Sequence, residues 1–363
     1  MIGLQKFSKI KSSAIYLYLL NQIINLMLNS GILIEKQQGQ KVHLFLLKNN
    51  ILNKDLKPVK SKDSVIFPVT KIPFNIFAKL KKIVPKIKKV KKNFPARITT
   101  PKNMREALVN KLSKKELALV QTSYDSLGDV AIIEIPKELK GKEKVIGNAL
   151  LATKNSLKSI YMKTGAHTGV FRSEPVKLIA GQKKKQATYK EHGCIFKISL
   201  GKVFFSPRLS TERKRISLKI KKGEKVAALF AGVGPFPIIF AKKSKMEKAL
   251  AIELNPQAVQ DMEENIKLNK VSDKVEPVLG DVKKLAKKYK GKFDRVVMPL
   301  PKGGEDFLED AIKYIKPSGG IVHYYQFTTK VNPYKVPTSQ IRKACSKLGR
   351  KFRVVAKRKV RDY

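Results

Sequence analysis

Hydrophobic and polar positions change rhythm several times along the chain, and each change predicts a different kind of element. From Ala14 to Ile34 an apolar stretch is interrupted by Asn21, Gln22, Asn25, Asn29, Ser30 and Gly31. Ile15, Leu19, Ile23, Leu26 and Leu28 approximate one helix face, which predicts an amphipathic helix closed by Asn29-Ser30-Gly31. Lys41 to Leu47 and Ser64 to Val69 read as strands flanking a polar connector, completing a small α/β unit at residues 1–70. From Asn103 to about Leu200 helix and strand patterns mix: Met104 to Leu112 and Val145 to Thr153 read as helices, and Asp129 to Pro136 as a strand stopped by proline. Beyond Lys202 strands and helices alternate. Lys225 to Phe230, Lys248 to Glu253, Val275 to Leu279, Phe293 to Met298 and Ile321 to Gln326 read as strands, with helical patterns at 235–243, 256–269, 304–315 and 336–348. Such βαβ alternation predicts a Rossmann-type, doubly wound parallel sheet over 201–363, preceded by a mixed α+β middle domain over 103–200.

Charge narrows the partners. Lys and Arg number 77 against 28 Asp and Glu in 363 residues, a formal net charge of +49. Such an excess favours a polyanion, and nucleic acid above all. Between Asp63 and Glu106 no acidic residue occurs, while Lys86, Lys88, Lys89, Lys91 and Lys92 crowd one stretch. Residues 71–102 are therefore expected as a basic linker, or as a segment ordered on RNA, because Leu80, Ile83, Val84, Ile87, Val90 and Phe94 interleave the lysines. With only Cys194 and Cys345, and four dispersed histidines, neither a disulfide framework nor a metal site is encoded, and a reducing cytoplasm fits. Lys6, Lys9 and Lys11 precede the first apolar stretch as in a signal peptide, but its amides would be costly in hydrocarbon. No membrane association is expected.

The first strand of the C-terminal sheet runs into Phe230-Ala-Gly-Val-Gly-Pro-Phe236, a turn in which Gly232 and Gly234 let backbone approach a ligand. Glu253 ends the next strand about 20 residues on, the spacing at which a carboxylate accepts ribose hydroxyls. Asp281 ends the third strand in Gly280-Asp281-Val282, beside the expected adenine amino group. The third glycine of a dinucleotide fingerprint is replaced by Pro235-Phe236-Pro237, which leaves less room for a pyrophosphate and suits S-adenosylmethionine better than NAD. Just before the sheet, Phe205-Ser-Pro-Arg-Leu-Ser-Thr-Glu-Arg213 sets Glu212 between Arg208 and Arg213, cations expected to keep it ionised as a base. Ser210 or Thr211 as a helix N-cap with Glu212 in the first turn accounts for the same residues equally well.

The segments Phe205 to Arg213, Phe230 to Phe236, Ile252-Glu-Leu-Asn-Pro256, Asp294 to Pro301 and Ile321-Val-His-Tyr-Tyr325 together resemble the archaeal and eukaryotic tRNA (guanine(37)-N1)-methyltransferases. Gly128 to Pro136 and Gly169-Val-Phe-Arg172 resemble that family's middle domain, and the N-terminal unit resembles its small first domain. The match covers nearly the whole chain, and the Ser206-to-Arg213 block distinguishes it from the related aminocarboxypropyl transferases of wyosine synthesis. The resemblance implies methyl transfer from S-adenosylmethionine to N1 of guanosine 37 of tRNA by a monomer. By it Glu212 is the general base, Arg172 the stabiliser of guanine O6, and Arg213 a neighbour of the cofactor's methionine end. Phe230, Gly232, Gly234, Glu253, Leu254, Asp281, Val282 and Pro299 complete the implied cofactor site, and Arg208 with the five lysines from Lys86 to Lys92 the implied RNA contacts. Ala228, Pro299 and Phe204 depart from the family's usual Asp, Asn and Tyr; the first removes a contact near the cofactor's methionine moiety, but the departures are expected as tolerated variants because the base, the arginines and both nucleoside-binding acids are retained. Methylation of a wyosine precursor at the same position, or an inactive tRNA-binding protein, are the alternative readings.

Overall fold

The computed structural model describes residues 29–97, 101–165, 171 and 173–360. The chain forms two compact units, Met1–Thr100 and Pro101–Tyr363.

In the first unit, β1 (Asn29–Glu35), α1 (Gly39–Lys48), β2 (Val59–Lys60), β3 (Ser64–Pro68), α2 (Phe74–Ile83) and β4 (Lys88–Lys92) build an antiparallel sheet in the order β2-β3-β1-β4. Three sequence expectations change here. Asn29-Ser30-Gly31, expected to close a helix, open β1, because Ile32 and Ile34 alternate into the core with the two-residue period of a strand; the body of that helix lies outside the described residues. Lys41 to Leu47, expected as a strand, belongs to α1, where Val42 and Leu46 lie one turn apart in the core and Leu44 faces solvent. An apolar run this short fits either period, and only the packing decides it. The described part of the expected linker at 71–102 is structured: α2 and β4 fall within it, β4 pairs with β1, and Leu80, Val84, Ile87 and Phe94 are core residues. The apolar residues between the lysines are what fold it. As an edge strand, β4 exposes Lys88, Lys89, Lys91 and Lys92, a composition that also discourages strand addition.

The second unit begins with α3 (Met104–Leu108), capped by Asn103, and α4 (Lys114–Leu119), opened by a Ser113–Glu116 capping box. Next come β5 (Tyr124–Leu127), β6 (Val130–Ile133), α5 (Glu143–Thr153), β7 (Ser159–Lys163) and β8 (Val176–Gly181), a sheet in sequential order whose β6–β7 pair is parallel and spanned by α5. A hairpin follows, β9 (Gln186–Glu191) and β10 (Cys194–Ser199). After α6 (Ser210–Ser217), the alternation expected from sequence appears as β11 (Lys225–Leu229), α7 (Pro235–Lys243), β12 (Lys248–Glu253), α8 (Pro256–Leu268), β13 (Val275–Leu279), α9 (Val282–Leu285), β14 (Arg295–Met298), α10 (Leu308–Tyr314), β15 (Ile321–Tyr324) and α11 (Lys335–Lys347). Its five strands are parallel in the order β13-β12-β11-β14-β15. The order reverses at β11, so ligand chemistry is expected at the carboxyl ends of β11, β12 and β14.

The hairpin is fastened to the parallel sheet's own layer. Along α8, Asp261, Asn265 and the following Asn269 recur every four residues, and their side chains take up the outer edge of β10. Asp261 accepts from the Ser199 amide at 2.7 Å, Asn265 from the Lys197 amide at 2.6 Å, and Asn269 from the Ile195 amide at 2.9 Å. Three side chains thus do for β10 what another strand would, satisfying backbone groups that would otherwise be orphaned. One core runs from Leu127 and Val130 through Phe196 to Phe236 and Met262. A boundary at residue 200 separates this hairpin from the helix it is bonded to.

Candidate active site

The turn after β11 is made by backbone conformation. Phe230 has φ of 55°, Gly232 of 56° and Gly234 of 85°. A bulky aromatic in this left-handed region is strained, and such strain persists where the surrounding structure imposes it. Gly234 caps α7, and a Cβ there would stand 2.8 Å from Met262 Cγ, so its glycine serves helix packing. Gly232 is different: a Cβ would meet only the Phe204 carbonyl oxygen, at 3.6 Å, and its open face lines the cavity.

Glu253, at the end of β12, reaches back into this turn. Its Oε2 accepts from the Gly232 amide at 2.8 Å, and its Oε1 from the amides of Leu254 at 2.8 Å and Asn255 at 2.9 Å. Three of about four carboxylate acceptor positions are filled by backbone, leaving one on Oε2 among the described residues. At the end of β13, Asp281 Oδ1 caps α9 through the Lys283 amide at 2.7 Å, and its other oxygen carries no hydrogen bond among the described residues. Val282 lies buried beneath, its carbonyl accepting from the Tyr314 hydroxyl at 2.8 Å. Both acids therefore present acceptors, the complement of ribose hydroxyls and an exocyclic amino group. Leu254 and Pro299 line the same cavity.

That cavity, about 2320 Å³, also contains Glu212. Glu212 lies in the first turn of α6 and is only 4% exposed. Arg215, three residues on, grips both of its oxygens: Nε donates to Oε2 at 2.7 Å and Nη2 to Oε1 at 2.6 Å. The Tyr325 hydroxyl, just past β15, donates to Oε1 at 2.7 Å. Burial pushes the Glu212 carboxyl up, but the hydrogen bonds from Arg215 and Tyr325 and the charges of Arg215 and Arg358 outweigh it and hold it below the usual carboxylate value. Burial and the neighbouring Glu212 charge drive the Tyr325 phenol far above its ordinary value, so it stays a donor. Behind them, burial and the cations Arg295 and Arg215 push His323 down to about 3. His323 is therefore neutral near pH 7, and its Nε2 accepts from Arg295 Nη1 at 2.8 Å. Arg295, itself 1% exposed, is paired with Glu224 at 2.7 Å.

The arginines expected to flank Glu212 are engaged elsewhere. Arg213 is buried against Glu191 at 2.6 and 2.8 Å, donates to the Ser206 carbonyl, and lies over the Phe205 and Phe236 rings. It does not line the cavity; it fastens the Ser206 segment to β9. Arg208 pairs with Asp125 at 2.6 Å and keeps 45% of its side chain exposed at the cavity. Ala228, expected to cost a cofactor contact, is buried within β11 opposite Ala251 and Val297. Arg172 lies outside the described residues. Lys86, Lys88, Lys89, Lys91 and Lys92 belong to the first unit, where Lys86 pairs with Glu35 and Lys89 covers the Phe77 ring. Sequence reasoning gave no role to Arg215, Tyr325 or the Arg295–Glu224–His323 network. Among the described residues no helix is long and apolar enough to cross a membrane, and no group of three or more potential metal ligands occurs.

Comparison with known proteins follows the same outline. Residues 187–355 match the TRM5/TYW2 methyltransferase domain, residues 104–184 the TYW2 N-terminal domain, and residues 31–78 the tRNA methyltransferase 5 N-terminal domain. The first match starts inside the β9–β10 hairpin and so includes β10 together with α8, to which it is bonded. The chain is 36% identical over 327 residues to the tRNA (guanine(37)-N(1))-methyltransferase Trm5b of Pyrococcus abyssi, covering 90% of this chain and 93% of that protein. The crystal structure of Trm5b from Pyrococcus abyssi superposes with a TM-score of 0.66 at 36% identity, covering 92% of this chain and 95% of the other. A complex of an aTrm5 with tRNALeu superposes with a TM-score of 0.71 at 31% identity, over 86% of this chain and 91% of the other. The chain belongs to the TRM5/TYW2 methyltransferases and, among them, to the archaeal and eukaryotic type of tRNA (guanine(37)-N1)-methyltransferase.

Proposed function

We propose that this protein methylates N1 of guanosine 37 in tRNA, using S-adenosylmethionine, with Glu212 as the base. The observation that carries the reading is one cavity lined by Glu212, Glu253 and Asp281 together. S-adenosylmethionine, when bound, supplies an electrophilic methyl group. The residues fit it: Glu253 and Asp281 offer acceptors to its ribose and adenine, Gly232 brings backbone close without a side chain, and Pro299 and Leu254 close the cavity. Guanine N1 carries a proton and is a poor nucleophile, so the protein must remove that proton and stabilise charge at O6. Glu212 is ionised at neutral pH and receives the N1 proton as N1 bonds to the methyl carbon. Arg172 takes the O6 role. Extrusion of the base from the anticodon stack brings it to Glu212, in a cavity large enough to receive it.

By this reading the molecule acts as a cytoplasmic monomer, with the methyltransferase sheet, the β5–β8 domain and the lysine-edged first unit all contacting tRNA. The exposed lysines of β4 contact phosphates in a salt-dependent way. Nucleoside mass spectrometry of tRNA incubated with enzyme and S-adenosylmethionine tests the function. It should yield 1-methylguanosine from unmodified tRNA and none when guanosine 37 is replaced. Methylation confined to tRNA already carrying a wyosine precursor would reassign the substrate, and no methylation of either would return the chain to a binding role.

A further inference from the structure

Glu212 is held by two side chains that its role as base does not by itself require. A carboxylate has about four acceptor positions. On Glu212, Arg215 fills one on each oxygen and Tyr325 fills the second on Oε1. One position remains among the described residues, on Oε2. We propose that Arg215 and Tyr325 are positioning residues that hold the Glu212 carboxylate in one orientation and direct its open acceptor, on Oε2, at the N1 proton of the target guanine. The inference rests on the reading of Glu212 as the base.

The arrangement comes from the fold. Arg215 lies three residues after Glu212 on α6, so both side chains emerge on one helix face. Tyr325 comes from the carboxyl end of the edge strand β15, and its hydroxyl has a fixed direction because Glu212 is its acceptor. His323, two residues earlier on the same strand, is neutral, and Arg358 adds a more distant positive charge. With Arg295 engaged by Glu224, the charged groups facing Glu212 are thus cationic, and the neighbouring neutral groups are His323 and Tyr325. A two-pronged guanidinium fixes the plane of the carboxylate as well as its charge. A rotating, singly bonded carboxylate would offer its lone pairs in many directions, at a cost in effective concentration at N1.

A carboxylate, whether clamped or not, is too weak a base to deprotonate a resting guanine N1. The N1–H bond therefore breaks as the N1–carbon bond forms and the methyl–sulfur bond breaks, its electron pair leaving with S-adenosylhomocysteine, when the ring's gain of positive charge makes that proton acidic. The proton passes to Oε2 and the ring ends neutral.

The test is the pH dependence of the single-turnover methylation rate at saturating tRNA and S-adenosylmethionine. The wild-type rate should stay flat from about pH 8 to about pH 5.5, because its base titrates below that window. Arg215→Gln removes the charge that favours the ionised form, so the Glu212 pKa rises and the acid limb should move up by about 1–2 pH units. Tyr325→Phe should move it in the same direction by less, and Arg215→Lys should restore the limb's position but not the full rate. Affinity for S-adenosylhomocysteine, measured by calorimetry, should stay within about twofold in all three, because the side-chain bonds they remove go to Glu212. A uniform fall in rate with the limb unmoved would reduce Arg215 and Tyr325 to structural residues and overturn the proposal. Glu212→Gln separates the underlying reading: a wild-type rate there would remove Glu212 as the base and the clamp with it, whereas an inactive Glu212→Gln beside unshifted Arg215 and Tyr325 profiles would overturn the clamp alone.

Discussion

Two glutamates in one cavity are held in opposite ways. Glu253 is gripped by backbone amides of Gly232, Leu254 and Asn255, all within the turn or its own strand end. Glu212 is gripped by side chains, Arg215 from its own helix and Tyr325 from 113 residues away. Backbone amides cannot move or titrate, so the Glu253 end is a fixed mould. Side chains can be tuned one at a time, so the Glu212 end sets acidity and direction. In the proposed reaction, a nucleoside part common to donor and product suits the mould, and a proton that must be taken up and released suits the adjustable pair.

If the two ends are separate, their mutants should fail in separate assays. Glu212→Ala should lower the single-turnover rate by about 10²–10⁴-fold, the usual effect of losing a general base, with S-adenosylhomocysteine affinity unchanged. An unchanged rate would make Glu212 a helix-terminal ion-pair residue. Glu253→Ala should do the reverse. It removes a charged acceptor and strands three amides, so S-adenosylhomocysteine affinity in calorimetry should fall about 10–100-fold. Near-wild-type affinity would show that Glu253 only braces the turn.

The same contrast decides how much could be read from sequence. The parallel sheet was legible because each strand and helix repeats its own period, and the cofactor end because its parts follow one another: glycine turn, then acid, then acid. Glu212, the proposed base, was legible only as part of a short motif. Its partners were not: Arg208 and Arg213 stand closest in sequence, yet on a helix the residue three positions on shares the face, which is Arg215. Tyr325 joins only when β15 is laid beside β14, a pairing no local pattern encodes. In the first unit, α1 was misread as a strand because seven apolar-rich residues carry no unambiguous period, and the lysines of β4 concealed a strand whose buried neighbours are Ile87 and Phe94.

The mould can be stressed without touching a ligand group. Gly234→Ala puts a Cβ at φ 85°, 2.8 Å from Met262 Cγ, where helix α7 meets α8. Strain and overpacking together should cost about 1–3 kcal/mol in denaturant unfolding. S-adenosylhomocysteine affinity should fall with it, since Gly232 lies in the same turn. A stable variant with normal affinity would mean that the turn tolerates movement and that the fixed-mould description is wrong.

The smallest expected effect separates the two jobs of Asp281. One oxygen caps α9 through the Lys283 amide, and the other, which carries no hydrogen bond among the described residues, is the proposed acceptor for the adenine amino group. Asp281→Asn leaves one acceptor oxygen and turns the other into a donor. If the oxygen keeps the cap, the amide meets the adenine amino group donor to donor; if it turns to the adenine, α9 loses its cap, worth about 1 kcal/mol. In the first case S-adenosylhomocysteine affinity should fall about three- to tenfold, one neutral hydrogen bond's worth, while unfolding stability stays put. In the second, stability should fall and affinity hold. The cap is the local, preformed contact, so the first outcome is expected. A loss in both, as large as that of Glu253→Ala, would mean that Asp281 acts through its charge, and that the adenine end is governed by electrostatics as the Glu212 end is.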